Sequence, residues 1–376
     1  MAIKILFTAD NHFGISYNSF PKAKQELLQE RVKSFEKMVE YANEQKMNYF
    51  IIGGDLFDKT SIQKNKIEEI AAILEKFTGE LVVIIPGNHD FYDTADKSLW
   101  SKFNDCVVDH EKIVVLKDYE IFDHQLGEHT VNFFPACCRS KHSEINMIGW
   151  VHDAEKKKET INIGIAHGNV TGLGLDNADR YFNMTKQELE TCGLDLWLLG
   201  HIHVPYPTNE ILNDNPRLFM SGTHMPDSWK FKHDGNAWEI ELDERKNVKA
   251  KKFKPSEIKI KELDFNVNNN LDIDAMQREL DAFQKSKTAL RLNINGRLDE
   301  DQQVRLNEMI KKNEEEFLTL DVKNNVSKKI DFALINQKYP NASLPHLLLS
   351  ELLQEDPEGL ALQKAFEILE QTTVSK

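Results

Sequence analysis

Eight side chains in this 376-residue chain share two properties: each is a type that ligates metal ions, and each stands where an apolar run stops. They are Asp10, His12, Asp55, Asn88, His89, His167, His201 and His203. Any one of these histidines, taken alone, is better read as a capping or core residue. Their concentration is what argues against that reading, since five of the 13 histidines fall at such ends. The donor set offers carboxylate, amide oxygen and imidazole but no thiolate. That chemistry suits Mn²⁺, Fe²⁺ or Zn²⁺ at a working site rather than a structural zinc finger. So many ligands exceed the needs of one ion that keeps water positions open. Two divalent ions about 3.5–4 Å apart, bridged by one carboxylate, would use them and would clamp the attacking and leaving oxygens of a phosphate ester.

The elements that must position these groups are short buried strands. Ile3–Ala9, Asn48–Ile52 and Leu81–Ile85 are apolar, largely β-branched or aromatic runs, as expected of strands buried on both faces. They end in Asp10-Asn11-His12-Phe13-Gly14, Gly53-Gly54-Asp55-Leu56-Phe57-Asp58 and Pro86-Gly87-Asn88-His89-Asp90. Helical periodicity over about 22–46 and 64–77 separates them, which gives the β-α-β-α-β grammar of a largely parallel sheet. Ligands in such folds collect at the carboxyl ends of strands. From about 106 to 135, three shorter strands (Ile113–Leu116, Tyr119–Phe122, Val131–Phe134) predict a meander leading into a second sheet. Ile161–Ala166 then runs into His167, and Leu194–Gly200 into His201-Ile202-His203. Arg217–Gly222 and Ala237–Leu242 close the region as strands.

Composition sets limits on the partners. Forty-seven basic against 61 acidic residues give a net charge of −14, the wrong sign for holding nucleic acid by bulk charge. A polyanion would need bound cations, a local basic patch or a partner, and two divalent ions answer part of that need. A mean hydropathy of −0.50, no apolar run of membrane-spanning length and no signal-peptide pattern lead to the expectation of a cytoplasmic protein with no membrane association. The four cysteines, Cys106, Cys137, Cys138 and Cys192, form no C-x-x-C pair and read as reduced thiols.

Beyond about residue 245 the text changes. Arg245 to Lys261 is Lys-rich and is best read as a solvated strand pair, with a DNA-backbone patch as the sharper alternative. Strand, helix (about 273–286), strand (Ala289–Ile294), helix (about 300–313) and strand (Phe317–Val322) predict a small α/β domain. The last fifty residues read as helices whose leucines, Leu347, Leu348, Leu349, Leu352 and Leu353 in one and Leu360 and Leu362 in the next, pack together or receive a partner helix. The predicted domains are 1–250, 255–325 and 326–376.

The series Asp10-x-His12, Gly54-Asp55, Gly87-Asn88-His89-Asp90, His167-Gly168 and Gly200-His201-x-His203 resembles the calcineurin-like metallophosphoesterase superfamily. The flanks Thr8–Gly14, Gly53–Asp58 and Leu199–His203 look most like its SbcD-type DNA-repair nucleases. The resemblance implies an α/β (α+β) fold of two packed β-sheets flanked by helices, followed by a capping domain and C-terminal helices. It implies that Asp10, His12 and His203 hold one metal, Asn88, His167 and His201 the other, with Asp55 bridging and Mn²⁺ the first expectation. His89 would not be a ligand but would act on the scissile phosphate or its leaving oxygen. Asp90 either steadies His89 or caps the next helix. Asn11, unusual at its position, would alter the pocket wall, and Asp58 stands where some relatives carry a histidine near the substrate. His224, in a loop resembling a substrate-side loop, is read as a surface residue. The implied activity is exonuclease and endonuclease cleavage of DNA in double-strand-break or hairpin processing, with an SbcC-type coiled-coil ATPase gripped by the C-terminal helices and a homodimer of the chain itself. A small-phosphoester enzyme on the same fold and a non-catalytic metal-bound scaffold are the competing readings.

Overall fold

The computed structural model describes residues 2–96, 98–143, 147–173, 182–230, 233–355 and 360–374. It divides into two compact units, Met1–Ile260 and Lys261–Lys376. In chain order the first unit runs β1 (Ile3–Thr8), α1 (Lys24–Glu44), β2 (Tyr49–Ile52), α2 (Lys64–Leu74), β3 (Leu81–Ile84), α3 (Leu99–Cys106), β4 (Ile113–Val115), β5 (Phe122–Leu126) and β6 (His129–Ala136). It continues with α4 (Gly149–Asp153), β7 (Ile161–His167), α5 (Lys186–Thr191), β8 (Leu196–Gly200), β9 (Ile211–Leu212), β10 (Leu218–Met220), β11 (Ala237–Leu242) and β12 (Val248–Phe253).

Two sheets result. One is ordered β4-β3-β2-β1-β11-β12-β9 and the other β10-β8-β7-β6-β5. Strands β1 to β4 pair in parallel, as do β6, β7, β8 and β10, so each sheet brings several carboxyl ends to one edge. The period-2 alternation of each strand decides which core a side chain joins. Ile3, Ile5 and Phe7 of β1 meet Phe133, Ile163, Ile165, Leu196 and Leu198 of the other sheet in the core between the two. Their neighbours Leu6, Phe50, Ile52, Val82 and Ile84 face outward, onto Phe35, Met38 and Val39 of α1 and onto α2 and α3. On the far side, Phe134, Ala166, Trp197 and Leu199 are covered by Val151 of α4 and Leu189 of α5. The layers are helix, sheet, sheet, helix, and β2 and β3 are apolar on both faces because both faces are covered.

One sequence expectation is corrected here. Ile113–Val115 does not open a meander: it is the parallel edge strand of the first sheet, paired with β3. The crossing to the second sheet is made by the β5–β6 hairpin, whose first strand is Phe122–Leu126 rather than Tyr119–Phe122. A short β-branched run carries no mark of which sheet it joins. Only β3 and its neighbours decide that.

The second unit continues β13 (Lys259–Val267), α6 (Asn270–Asp281), β14 (Thr288–Leu298), α7 (Glu300–Glu316), β15 (Thr319–Lys328), α8 (Phe332–Lys338), α9 (Leu344–Glu355) and α10 (Leu360–Val374). Its sheet is β13-β14-β15, with β14 and β15 parallel. Asn269 caps α6, and a capping box of Asp299 and Gln302 starts α7. Leu263, Phe265, Ile273, Met276, Leu290, Leu292 and Leu306 make its core. A separate apolar cluster of Ile335, Tyr339, Leu349, Leu362 and Phe366 joins α8, α9 and α10.

Candidate metal centre

The loops that leave β1, β2 and β3 lock onto one another. Asp10 N–H donates to Gly54 O at 3.1 Å and His12 N–H to Asp55 O at 2.9 Å. Asp55 Oδ1 accepts from the His89 backbone N–H at 2.8 Å, and Asp10 Oδ1 from that of His201 at 2.9 Å. The second of these bonds ties the two sheets together at the same edge. Asp10, His12, Asp55 and His201 all adopt positive φ, of 51°, 46°, 53° and 93°. Non-glycine residues take that conformation only where the surroundings hold them in it, and such strain collects at functional sites. The neighbouring glycines are required by closeness. A Cβ on Gly54 (φ +94°) would stand 2.3 Å from Nδ1 of His167, and one on Gly87 would stand 2.2 Å from Oδ1 of Asp55.

The ligand atoms converge in two groups. In the first, Asp10, His12 and His203 lie together, with Nε2 of His12 3.1 Å from Nε2 of His203. In the second, Asn88 Oδ1 stands 3.0 Å from His167 Nε2 and 3.0 Å from His201 Nδ1. Asp55 Oδ2 lies between them, 3.3 Å from His167 Nε2 and 3.6 Å from His12 Nε2. Asp10, His12, Asp55, Asn88 and His167 are buried, while His89, His201 and His203 are half-buried and open one side of the cluster to solvent.

The tautomers show what this cluster is built to receive. His167 donates from Nδ1–H to the carbonyl of Gly53 at 2.9 Å, which leaves its Nε2 lone pair facing Asn88 and Asp55. His203 Nδ1 faces Asp227 Oδ2 at 3.1 Å, and His12 Nδ1 faces Asp58 Oδ1 at 3.4 Å, so their Nε2 lone pairs face each other. An acceptor behind each ring that turns its other nitrogen inward is the usual outer support of a metal-binding histidine. Lone pairs aimed at lone pairs repel unless a proton or cation lies among them. Ligand atoms about 2.0–2.2 Å from one ion stand about 3.0–3.5 Å apart, which matches these separations. The residues fit divalent ions.

Electrostatics agree. Burial resists charge on His167, but Asp55 and Asp10 outweigh it and bring its pKa up to about 9. Burial likewise opposes charge on His203, and Asp227 overcomes it, again to about 9. Burial and then the neighbouring His167 push His201 down to about 3. Burial works against the Asp55 carboxylate, yet His167 and His12 hold it well below the usual range. The centre is negative enough to hold protons on two imidazoles beyond neutral pH, and a divalent cation satisfies the same field more strongly.

The seven expected ligands, Asp10, His12, Asp55, Asn88, His167, His201 and His203, are thus brought together in one cluster. His89 stands beside it, 4.8 Å from the His12 ring and edge-on, with Nδ1 2.9 Å from the carbonyl of Asp58. Asp90 neither steadies His89 nor caps a helix. Its two oxygens accept from Gly87 N–H at 2.7 Å and Phe57 N–H at 3.0 Å, and α3 is capped by Ser98 instead. Burial and the nearby Asp55 bring Asp90 up to about 7. His224 is not a surface residue: it is fully buried, with Nδ1 3.1 Å from Asn11 Nδ2 and Nε2 3.0 Å from Arg31 O. Asn11 is buried with it, its Nδ2 also 3.0 Å from Thr8 Oγ1. Asp227 is the residue that sequence reasoning passed over, and Asp58, noted there only as standing where some relatives carry a histidine, lies behind His12. Asp58 carried a signal in its position three residues after Asp55, whereas Asp227 carried none.

A family model described as calcineurin-like phosphoesterase matches residues 3–205. Among solved structures, the crystal structure of TT1561 of Thermus thermophilus aligns at 12% identity and a TM-score of 0.38, covering 67% of this chain and 99% of that one.

Proposed function

The chain belongs to the calcineurin-like phosphoesterase family, a family of metal-dependent hydrolases, and from that premise we propose that it is a two-metal phosphodiesterase of DNA. It works as an exonuclease and endonuclease of the SbcD type, in double-strand-break or hairpin processing beside an SbcC-type ATPase. The observation that carries the hydrolytic reading is His89: a half-buried imidazole held by a backbone carbonyl at the open side of the cluster, close enough to His12 and Asp55 to reach whatever the centre binds. A scaffold would have no use for such a group.

Two divalent ions, Mn²⁺ by first choice, supply charge neutralisation at the phosphate and a water of lowered pKa when bound. The protein does the rest. Asp10, His12 and His203 would hold one position and Asn88, His167 and His201 the other, with Asp55 shared by both. His89, in its doubly protonated form, would donate from Nε2 to a phosphate oxygen or give that proton to the leaving alkoxide, its ring fixed by Nδ1–H donating to the Asp58 carbonyl.

Three observations support the finer parts of the reading. The motif flanks resemble those of SbcD-type nucleases. A second unit, Lys261–Lys376, follows the catalytic one, and a small phosphoester needs no such addition. On α9 and α10, Leu344, Leu347, Leu348, Leu360 and Ile368 are exposed, an apolar surface that suits a partner helix. Pairing with a second copy of the chain and a cytoplasmic setting belong to the same proposal.

Linear duplex DNA with Mn²⁺ should be cleaved, and His89→Asn should lower the rate by about 10²–10⁴-fold while metal content stays at wild type. Hydrolysis of nucleotides with none of DNA would replace this reading by a small-phosphoester enzyme. Activity retained in His89→Asn would remove the assigned role of His89.

A further inference from the structure

Helix α1 buries a guanidinium. Arg31 is 1% exposed, among the buried Leu27, Ser34, Phe35 and Met38 of the same helix. A buried charge persists only where it is paired and its donors are used. Arg31 meets that demand around the metal centre. Its Nε donates to the Tyr17 hydroxyl at 2.8 Å, one terminal nitrogen donates to the carbonyl of Asn11, and the other donates to the carbonyl of Met225 at 3.4 Å. That second nitrogen also lies 4.0 Å from Oδ2 of Asp227, the same oxygen that stands 3.1 Å from Nδ1 of His203.

The reach of this arrangement is selective. Asn11 lies between Asp10 and His12, and Asp227 lies behind His203. Arg31 therefore braces the backbone that carries two ligands of one metal position and, through Asp227, the ring of the third. Among the described residues, none of its hydrogen bonds or ion pairs is to Asn88, His167 or His201, which form the other position. His167 is set instead by the carbonyl of Gly53.

The geometry points to Arg31 and Asp227 as positioning residues for one metal position alone, that of Asp10, His12 and His203, with Asp227 choosing the His203 nitrogen that is presented. This rests on the two-metal reading and adds to it that the two positions have separate supports. Asp227→Ala removes the acceptor behind His203, and Asp227→Asn keeps an acceptor oxygen while removing the charge that faces Arg31.

Mn²⁺ titration followed by calorimetry and by electron paramagnetic resonance tests the assignment. Wild type is expected to bind two equivalents and to give a spin-coupled pair spectrum. Asp227→Ala is expected to weaken one equivalent by about 10–100-fold and to leave the other within twofold, because outer supports of metal ligands contribute on that scale. Its spectrum at one equivalent should be the six-line signal of an isolated ion, and Asp227→Asn should fall between alanine and wild type. If Asp227→Ala does not fold by circular dichroism, Arg31→Lys, which keeps the charge and loses the fork, should weaken the same single equivalent. Equal weakening of both equivalents, or wild-type affinity in folded variants, overturns the proposal. Wild type that binds no Mn²⁺ would overturn the metal-centre reading itself, and the proposal with it.

Discussion

At the scale of single residues, the centre is governed by what lies behind each imidazole. Gly53 O and Asp227 lie behind His167 and His203 and favour the nitrogen each turns inward, and the carbonyl of Asp58 does the same for His89. This gives the metal-free protein a pH dependence of definite sign. His167 and His203 rise from about 6.5 unfolded to about 9 folded. Their contribution to stability is fully present below about pH 6.5 and is lost as pH rises through about 9. The unfolding temperature of chelator-treated protein should therefore fall from pH 6.5 to 9, and that of Mn²⁺-loaded protein should fall less over the same range, as calorimetry would measure. That the candidate ligands gather at one edge was legible in the sequence, because strand ends bring chemistry to one edge and each candidate lies within a few residues of the end of its strand. Asp227 was not, since it stands 24 residues beyond His203 in a loop whose approach only tertiary packing creates.

At the scale of elements, the strand-then-ligand rhythm of β1, β2, β3, β7 and β8 follows from parallel pairing, and it was readable as apolar runs that stop in polar turns. The position of β4 was not readable, because Ile113–Val115 fits either sheet. The turns depend on glycines that admit neighbours. Gly54→Ala would force a side chain into positive φ, a cost of about 1–2 kcal/mol, and would push against the His167 ring. A lowered unfolding temperature and reduced metal content per chain are the expected result. Gly149→Ala, where an added Cβ would have nothing within 4 Å, is the control and should change stability by no more than about 0.5 kcal/mol.

At the scale of the whole molecule, net charge and division of labour come forward. A chain of net charge −14 attracts a polyanion only locally, so cleavage should depend on the centre and on what the second unit recruits. No helix among the described residues is long and apolar enough to cross a membrane. Leu347 and Ile368 are 55% and 59% exposed. Replacing both with glutamate should leave folding within about 0.5 kcal/mol of wild type. It should also leave cleavage by the isolated chain intact and abolish co-purification with the proposed ATPase partner. Retained co-purification would place the partner elsewhere.

The bond from His201 N–H to Asp10 has a consequence for the lifetime of the fold. Asp10, His12, Asp55 and Asn88 follow strands of one sheet, and His167, His201 and His203 those of the other. Ions held by both sets, as proposed, would act as rivets through the seam between the sheets, which would have to part before the chain could open. Chelation should accordingly quicken unfolding far more than it slows refolding, because ligands gathered from residues 10 to 203 come together only late in assembly. Stopped-flow unfolding with and without chelator would measure that asymmetry, and equal effects on the two rates would mean that the seam closes early.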